Sequence, residues 1–128
     1  MNTIRFEHVS KSYGKTEVIK DLNLEIPSGQ RVILLGPSGC GKTTTLRMIA
    51  GLEEITDGNL YMGGNIVNDV ESGDRNVAMV FQNYALFPHM TVFKNIAFGL
   101  RTHKLKKSEI QEKVRSIMKI LELEEYED

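Results

Sequence analysis

The sequence has little of what would place it in several broad functional classes. It contains one cysteine, Cys40, in 128 residues, so no internal disulfide can form. That suits a reducing compartment. No charge of one sign dominates: sixteen basic residues face seventeen acidic ones, for a net charge of -1. No overall field therefore draws the chain to nucleic acid or to an anionic bilayer. No apolar run approaches the roughly 18–20 residues of a membrane-spanning helix. The longest such runs, residues 32–35 and 77–81, are strand-sized. The first seven residues are too polar for a secretory leader. His8, His89 and His103 lack metal-ligand spacing and read as structural or solvated. There is no internal repeat and no low-complexity tract. If such a protein works at a membrane, it must dock onto a partner there.

What is present reads as one ordinary globular domain with 41% hydrophobic and 26% charged residues. Ile4, Phe6 and His8 alternate with polar neighbours, which predicts a half-buried strand. A polar turn is expected over residues 10–16, with Tyr13 and Gly14 at its tip. Leu22, Leu24 and Ile26 predict a second strand, antiparallel to the first and closed by Pro27-Ser28-Gly29. Residues 31–35 and 77–81 are continuous apolar runs, as in strands buried on both faces of a parallel sheet. Residues 42–50 predict a helix with Leu46, Ile49 and Ala50 on its apolar side and Gly51 as its stop. Residues 59–62 predict a short strand before Gly63-Gly64. Thr91 is placed to cap a helix running to about Arg101. Lys104, Lys106 and Lys107 form a solvated connector. Ser108 and Gln111 form a capping-box pattern, and Ile110, Val114, Ile117 and Leu121 share one face of the helix that follows. Glu122, Glu124, Glu125, Glu127 and Asp128 crowd its end, where acids oppose the helix dipole and no glycine follows. This end reads as a cut.

The strongest chemical signal is Gly36-Pro37-Ser38-Gly39-Cys40-Gly41-Lys42-Thr43, which fits G-x-x-x-x-G-K-[ST]. The glycines let the backbone curl so that successive N–H groups point at a phosphate. The loop opens a helix, whose N-terminus adds partial positive charge. Lys42 can reach terminal phosphates, and the Thr43 hydroxyl suits a magnesium ion.

Three further residues stand out. Gln82 directly follows the apolar run 77–81, at the strand end where ligands gather in open α/β sheets. Its carbonyl could bind magnesium or hold a water. Tyr13 lies on a turn ahead of the loop. Read from the residues alone, it packs on its own hairpin; the competing reading is an aromatic ring that stacks on adenine. Cys40 sits near a helix N-terminus, where a thiol tends to be more reactive; the competing reading is a small residue tolerated for its size.

These residues lie in longer blocks: SKSYG at 10–14, GPSGCGKTTTLRMIAGLE at 36–53 and VFQNYALFPHMTV at 80–92. Through them the chain resembles the ABC-transporter ATPases over essentially its full length. It is most similar to the ATPase subunits of bacterial binding-protein-dependent importers, the sugar group above all, with polyamine and ferric-ion importers also similar. The resemblance implies an α/β phosphate-loop core with an antiparallel β flank, truncated, with residues 1–90 forming the nucleotide-binding part and 91–128 the start of a helical subdomain. It implies that ATP and Mg2+ bind here. Tyr13 would stack on adenine. Gly36, Pro37, Ser38, Gly39, Cys40, Gly41, Lys42, Thr43 and Thr44 would form the phosphate cradle. Thr43 and Gln82 would hold magnesium, with Lys42 and Gln82 serving catalysis. Residues 82–90 would contact integral-membrane subunits. The parent protein would dimerise with a like or related ATPase subunit and work peripherally at the cytoplasmic face of the membrane, with no nucleic-acid partner.

The departures carry equal weight. The family's LSGGQ signature, its strand ending in Asp-Glu and its switch histidine all normally follow the point where this sequence stops. Lys94 stands where relatives often carry a capping glutamate. The expectation is a chain that binds ATP without hydrolysing it, from a parent that couples hydrolysis to solute import. The rivals are a soluble, non-transport ABC ATPase and a nucleotide-binding module without turnover.

Overall fold

The computed structural model describes residues 3–101 and 105–126. His103, Lys104, Glu127 and Asp128 lie outside the described residues. The chain divides into two compact units, Met1–Met79 and Val80–Asp128.

In the first unit, β1 (Ile4–Tyr13) and β2 (Thr16–Ile26) form the expected antiparallel hairpin, and β3 (Asp57–Met62) and β4 (Asn65–Ile66) extend it. The strand order is β2-β1-β3-β4. The polar turn expected over residues 10–16 shrinks to Gly14 and Lys15, because the ladder runs on to Tyr13 opposite Thr16. The alternation is lost earlier for a reason: register shifts occur between Phe6 and Val9 and again around Lys11. A bulge moves the next inward residue by one, so Phe6 and Val9 are both buried while His8 points out. His8 takes a left-handed φ of 51°. Its imidazole pairs with Asp21 at 2.7 Å, and this holds the Asp21 carboxyl below its ordinary range. Gly58 answers the bulge from β3. Its φ is 86°, and a Cβ there would fall 2.2 Å from the His8 carbonyl oxygen, so only glycine fits.

Helix α1 (Lys42–Ala50) forms where expected and stops at Gly51, φ 71°. The Gly51 and Leu52 N–H groups close back onto the Met48 and Arg47 carbonyls, a Schellman end. The expected apolar side holds at Ala50, which is buried, and at Ile49, which packs on the core, and fails at Leu46. Thr45, Met48 and Ala50 face inward and Leu46 is exposed. Met48 joins Phe6, Val9, Ile19, Leu60, Met62 and Val67 in the core, which seats α1 on the sheet.

The two apolar runs are a clear departure. Residues 31–35 and 77–81 pair with no strand among the described residues. Ile33 is 81% and Leu35 87% exposed, and Val80 is equally open. A buried strand is defined by neighbours on both edges, and its own sequence cannot supply them.

In the second unit, α2 (Val92–Arg101) packs with α3 (Lys107–Ile120) through Ala97, Val114 and Met118. The Thr91 hydroxyl accepts from the Lys94 N–H at 3.3 Å, as the capping pattern predicted. Helix α3 starts ahead of the Ser108–Gln111 pattern. Glu109 closes its first turn instead, accepting the Lys106 N–H at 2.9 Å. Its inward face is Ile110, Val114 and Met118; Ile117 and Leu121 are exposed. It also ends properly without glycine. Glu122 takes the left-handed position at φ 55°. The Glu122 and Leu123 N–H groups bond to the Lys119 and Met118 carbonyls, and Leu123 packs on the core.

Candidate functional site

The glycine-rich loop occupies residues 36–41 and delivers the chain into α1. Its geometry follows from three contacts. Gly41 has φ 92° and lies against β2, where a Cβ would meet Ile19 Cγ1 at 3.0 Å and the Val18 carbonyl oxygen at 3.3 Å. That close approach anchors the loop's exit on the sheet. Gly36 faces the Cys40 sulfur, which leaves only 2.5 Å for a Cβ. The Thr45 hydroxyl turns back to the Gly41 carbonyl at 3.0 Å.

Lys42 closes the loop. Its ammonium donates to the carbonyls of Gly36 at 2.7 Å and Pro37 at 2.6 Å, and lies 3.4 Å from Cys40 Sγ. An ammonium has three protons, and sulfur is a weak acceptor. Two protons are thus committed to the backbone, and the third is available to a stronger acceptor. The N-terminus of α1 is likewise unneutralised: no side chain caps it and no acid lies in its first turn. Its free N–H groups and partial charge favour an anion. Ser38, Gly39 and Thr43 are exposed around this opening and Thr44 is half-buried.

Tyr13 ends β1, 46% exposed. The Lys11 ammonium lies 4.9 Å from its ring centre. Gln82 belongs to the second unit, exposed in a turn over residues 82–85. Tyr84 and Ala85 there have φ of 60° and 47°, and Tyr84 and Leu86 are largely exposed.

Sequence reasoning passed over two organising side chains. Asn95 on α2 ties down the segment before it: its Oδ1 accepts the Phe87 N–H at 2.9 Å, and its Nδ2 donates to the carbonyls of Phe87, Met90 and Thr91. Arg75 is buried beneath Gly51. It donates to Met48 and Ile49 at the end of α1 and to Asn68 and Val70, so the helix that carries the loop is clamped from its far end. Burial pushes its guanidinium pKa down. An asparagine behind a capped helix start and an arginine beside an apolar run are both ordinary in sequence; only the fold gives them partners.

Comparisons with known proteins give the chain a family. A family model described as ABC transporter matches residues 19–128. The chain is 55% identical over 127 residues to the oligosaccharides import ATP-binding protein MsmX of Bacillus subtilis, covering 98% of this chain and 35% of that one. It is 54% identical over 124 residues to the lactose transport ATP-binding protein LacK of Rhizobium radiobacter, covering 97% and 34%. It is 54% identical over 127 residues to the sn-glycerol-3-phosphate import ATP-binding protein UgpC of Brucella abortus, covering 98% and 36%. The chain thus spans about a third of the length of these relatives. Among solved structures, the dimeric form of a bacterial ABC transporter cassette superposes with a TM-score of 0.83 at 29% identity, over 98% of this chain and 60% of that one. A post-hydrolysis state of the same cassette, bound to ADP and Pi, gives 0.82 at 28%, over 97% and 60%. With the family model matching residues 19–128 and relatives 54–55% identical over nearly all of its length, the chain belongs to the ABC transporter family, among its ATP-binding domains.

Proposed function

We propose that residues 36–44 hold the phosphates of ATP, and that the whole protein to which this sequence belongs is an ATPase subunit driving solute import. The observation that carries the binding reading is the Lys42 ammonium closing the loop over an uncapped helix N-terminus. Backbone N–H groups and the third lysine proton then converge on one anion. The Thr43 hydroxyl and the Gln82 carbonyl are hard oxygen donors of the kind magnesium takes. The ion would shield the phosphate charges, while Lys42 and the loop orient them and Tyr13 receives the base. The domain reading is that residues 1–90 form the nucleotide-binding part and 91–128 begin a helical subdomain.

The importer reading rests on relatives named for oligosaccharide, lactose and glycerol-phosphate transport. A polar, sugar-like cargo is the class proposed. Among the described residues no helix is long and apolar enough to cross a membrane. From those importer relatives, the proposed place is the cytoplasmic face, docked on integral-membrane subunits. Exposed Tyr84 and Leu86, on the segment ordered by Asn95, suit such docking. The dimeric cassette supports pairing with a second ATPase subunit.

The test is calorimetric titration of MgATP into the chain and into Lys42→Ala. Affinity should fall at least about tenfold, the size of a lost charge-assisted contact. An unchanged dissociation constant would refute the phosphate-loop assignment.

A further inference from the structure

Lys11 is out of place by composition. It lies in the interior of the first unit with its side chain 9% exposed, on a strand whose other inward residues are apolar. Its ammonium is 2.7 Å from Glu53 Oε1 and 2.7 Å from the Glu54 carbonyl oxygen. Arg47 Nε lies 3.8 Å from the other Glu53 oxygen. The hydrogen bond from Lys11 holds the Glu53 carboxyl below the ordinary glutamate range.

A buried ion pair is a poor way to stabilise a fold, because desolvating both charges offsets most of their attraction. A leucine or methionine at position 11 would pack as well at less cost. What the pair does provide is direction. Tyr13 stands at the end of a two-residue hairpin, where a ring otherwise samples several rotamers. Here the Lys11 ammonium, itself held by Glu53, sits over the ring at 4.9 Å. Glu53 is itself fixed two residues beyond Gly51, the stop of the helix that carries the phosphate loop. The ring is therefore tied to the same element that positions the phosphates.

We propose that Lys11 and Glu53 are positioning residues that hold the Tyr13 ring at a set orientation relative to the phosphate loop, so that it is ready to stack on a nucleobase. This rests on the reading of Tyr13 given under the proposed function. A pre-ordered ring spares the ordering cost that a mobile one would incur on binding.

Two probes separate the parts: MgATP, which has a base, and magnesium tripolyphosphate, which fills the loop without one. Both are titrated calorimetrically into the folded 128-residue chain, with each variant's melting temperature recorded. Tyr13→Ala should weaken MgATP about tenfold, as loss of a stacked base does, and leave tripolyphosphate unchanged. Lys11→Met keeps the buried stem and removes the ammonium over the ring, and Glu53→Gln keeps the shape and removes the charge. Each should weaken MgATP about threefold, the effect of immobilising one side chain, again with tripolyphosphate unchanged. If Tyr13→Ala fails to discriminate the two ligands, the stacking reading falls and this inference with it. If Tyr13→Ala discriminates but Lys11→Met binds both ligands like the parent, stacking stands and the positioning role is overturned. Equal losses for both ligands in Lys11→Met and Glu53→Gln would mean a general structural role and would also overturn it. Should Glu53→Gln not fold, Lys11→Met decides.

Discussion

At the scale of single residues, Cys40 is the natural reporter of the loop. Its sulfur fills the space above Gly36 and lies 3.4 Å from the Lys42 ammonium. Any adduct on that sulfur would occupy the volume a phosphate needs. Alkylation should therefore abolish MgATP binding, and saturating MgATP should slow alkylation. Labelling rates that are equal with and without nucleotide would place the thiol outside the cradle. The side chains with the most partners are those whose sequence context said least. Lys42 and Cys40 were legible because the spacing of the glycines fixes where they stand. Lys11 was read as part of a turn, because bulges at residues 6–12 hide its inward position. Arg75 gained its role from four carbonyls, three of them on residues it does not adjoin in sequence by fewer than six positions.

At the scale of elements, local signals worked where local physics governs. The glycine stop of α1 and the Thr91 cap of α2 are nearest-neighbour effects and appear as expected. The end of α3 was missed because its Schellman turn uses Glu122 at φ 55° in place of glycine. A side chain in that conformation is held there by the Leu123 contact and the two capping bonds, against its own preference. Glu122→Gly should consequently stabilise the second unit, by about 1 kcal/mol. Thermal or urea unfolding followed by circular dichroism would show it, and a lower midpoint would mean that the glutamate carries a contact of its own. Residues 31–35 and 77–81 show the opposite case. Their apolar character was legible; their pairing was not, because a ladder depends on residues far away in sequence.

At the scale of the whole molecule, those same residues set the solution behaviour of the 128-residue chain. Ile33, Leu35 and Val80 expose apolar surface and pair in no ladder among the described residues. Exposed apolar surface of this kind recruits other chains. Light scattering should show concentration-dependent self-association. The loop offers phosphate donors, and no Asp or Glu directly follows residues 77–81 to orient an attacking water. Steady-state phosphate release should be negligible, and robust turnover that vanishes in Lys42→Ala would show that a catalytic carboxylate is already present.

The anchoring of the loop is also unequal at its two ends. Gly41 is seated on β2 and α1 on the core, whereas Gly36 follows the unladdered residues 31–35 and is held chiefly by the Lys42 ammonium. Nucleotide must then finish the ordering of that entry side, and binding will carry an entropic penalty larger than the contacts alone imply. Lys42 is in this sense a clasp as well as a ligand. Its removal should make the binding entropy less favourable, beyond the enthalpy lost with the phosphate contact.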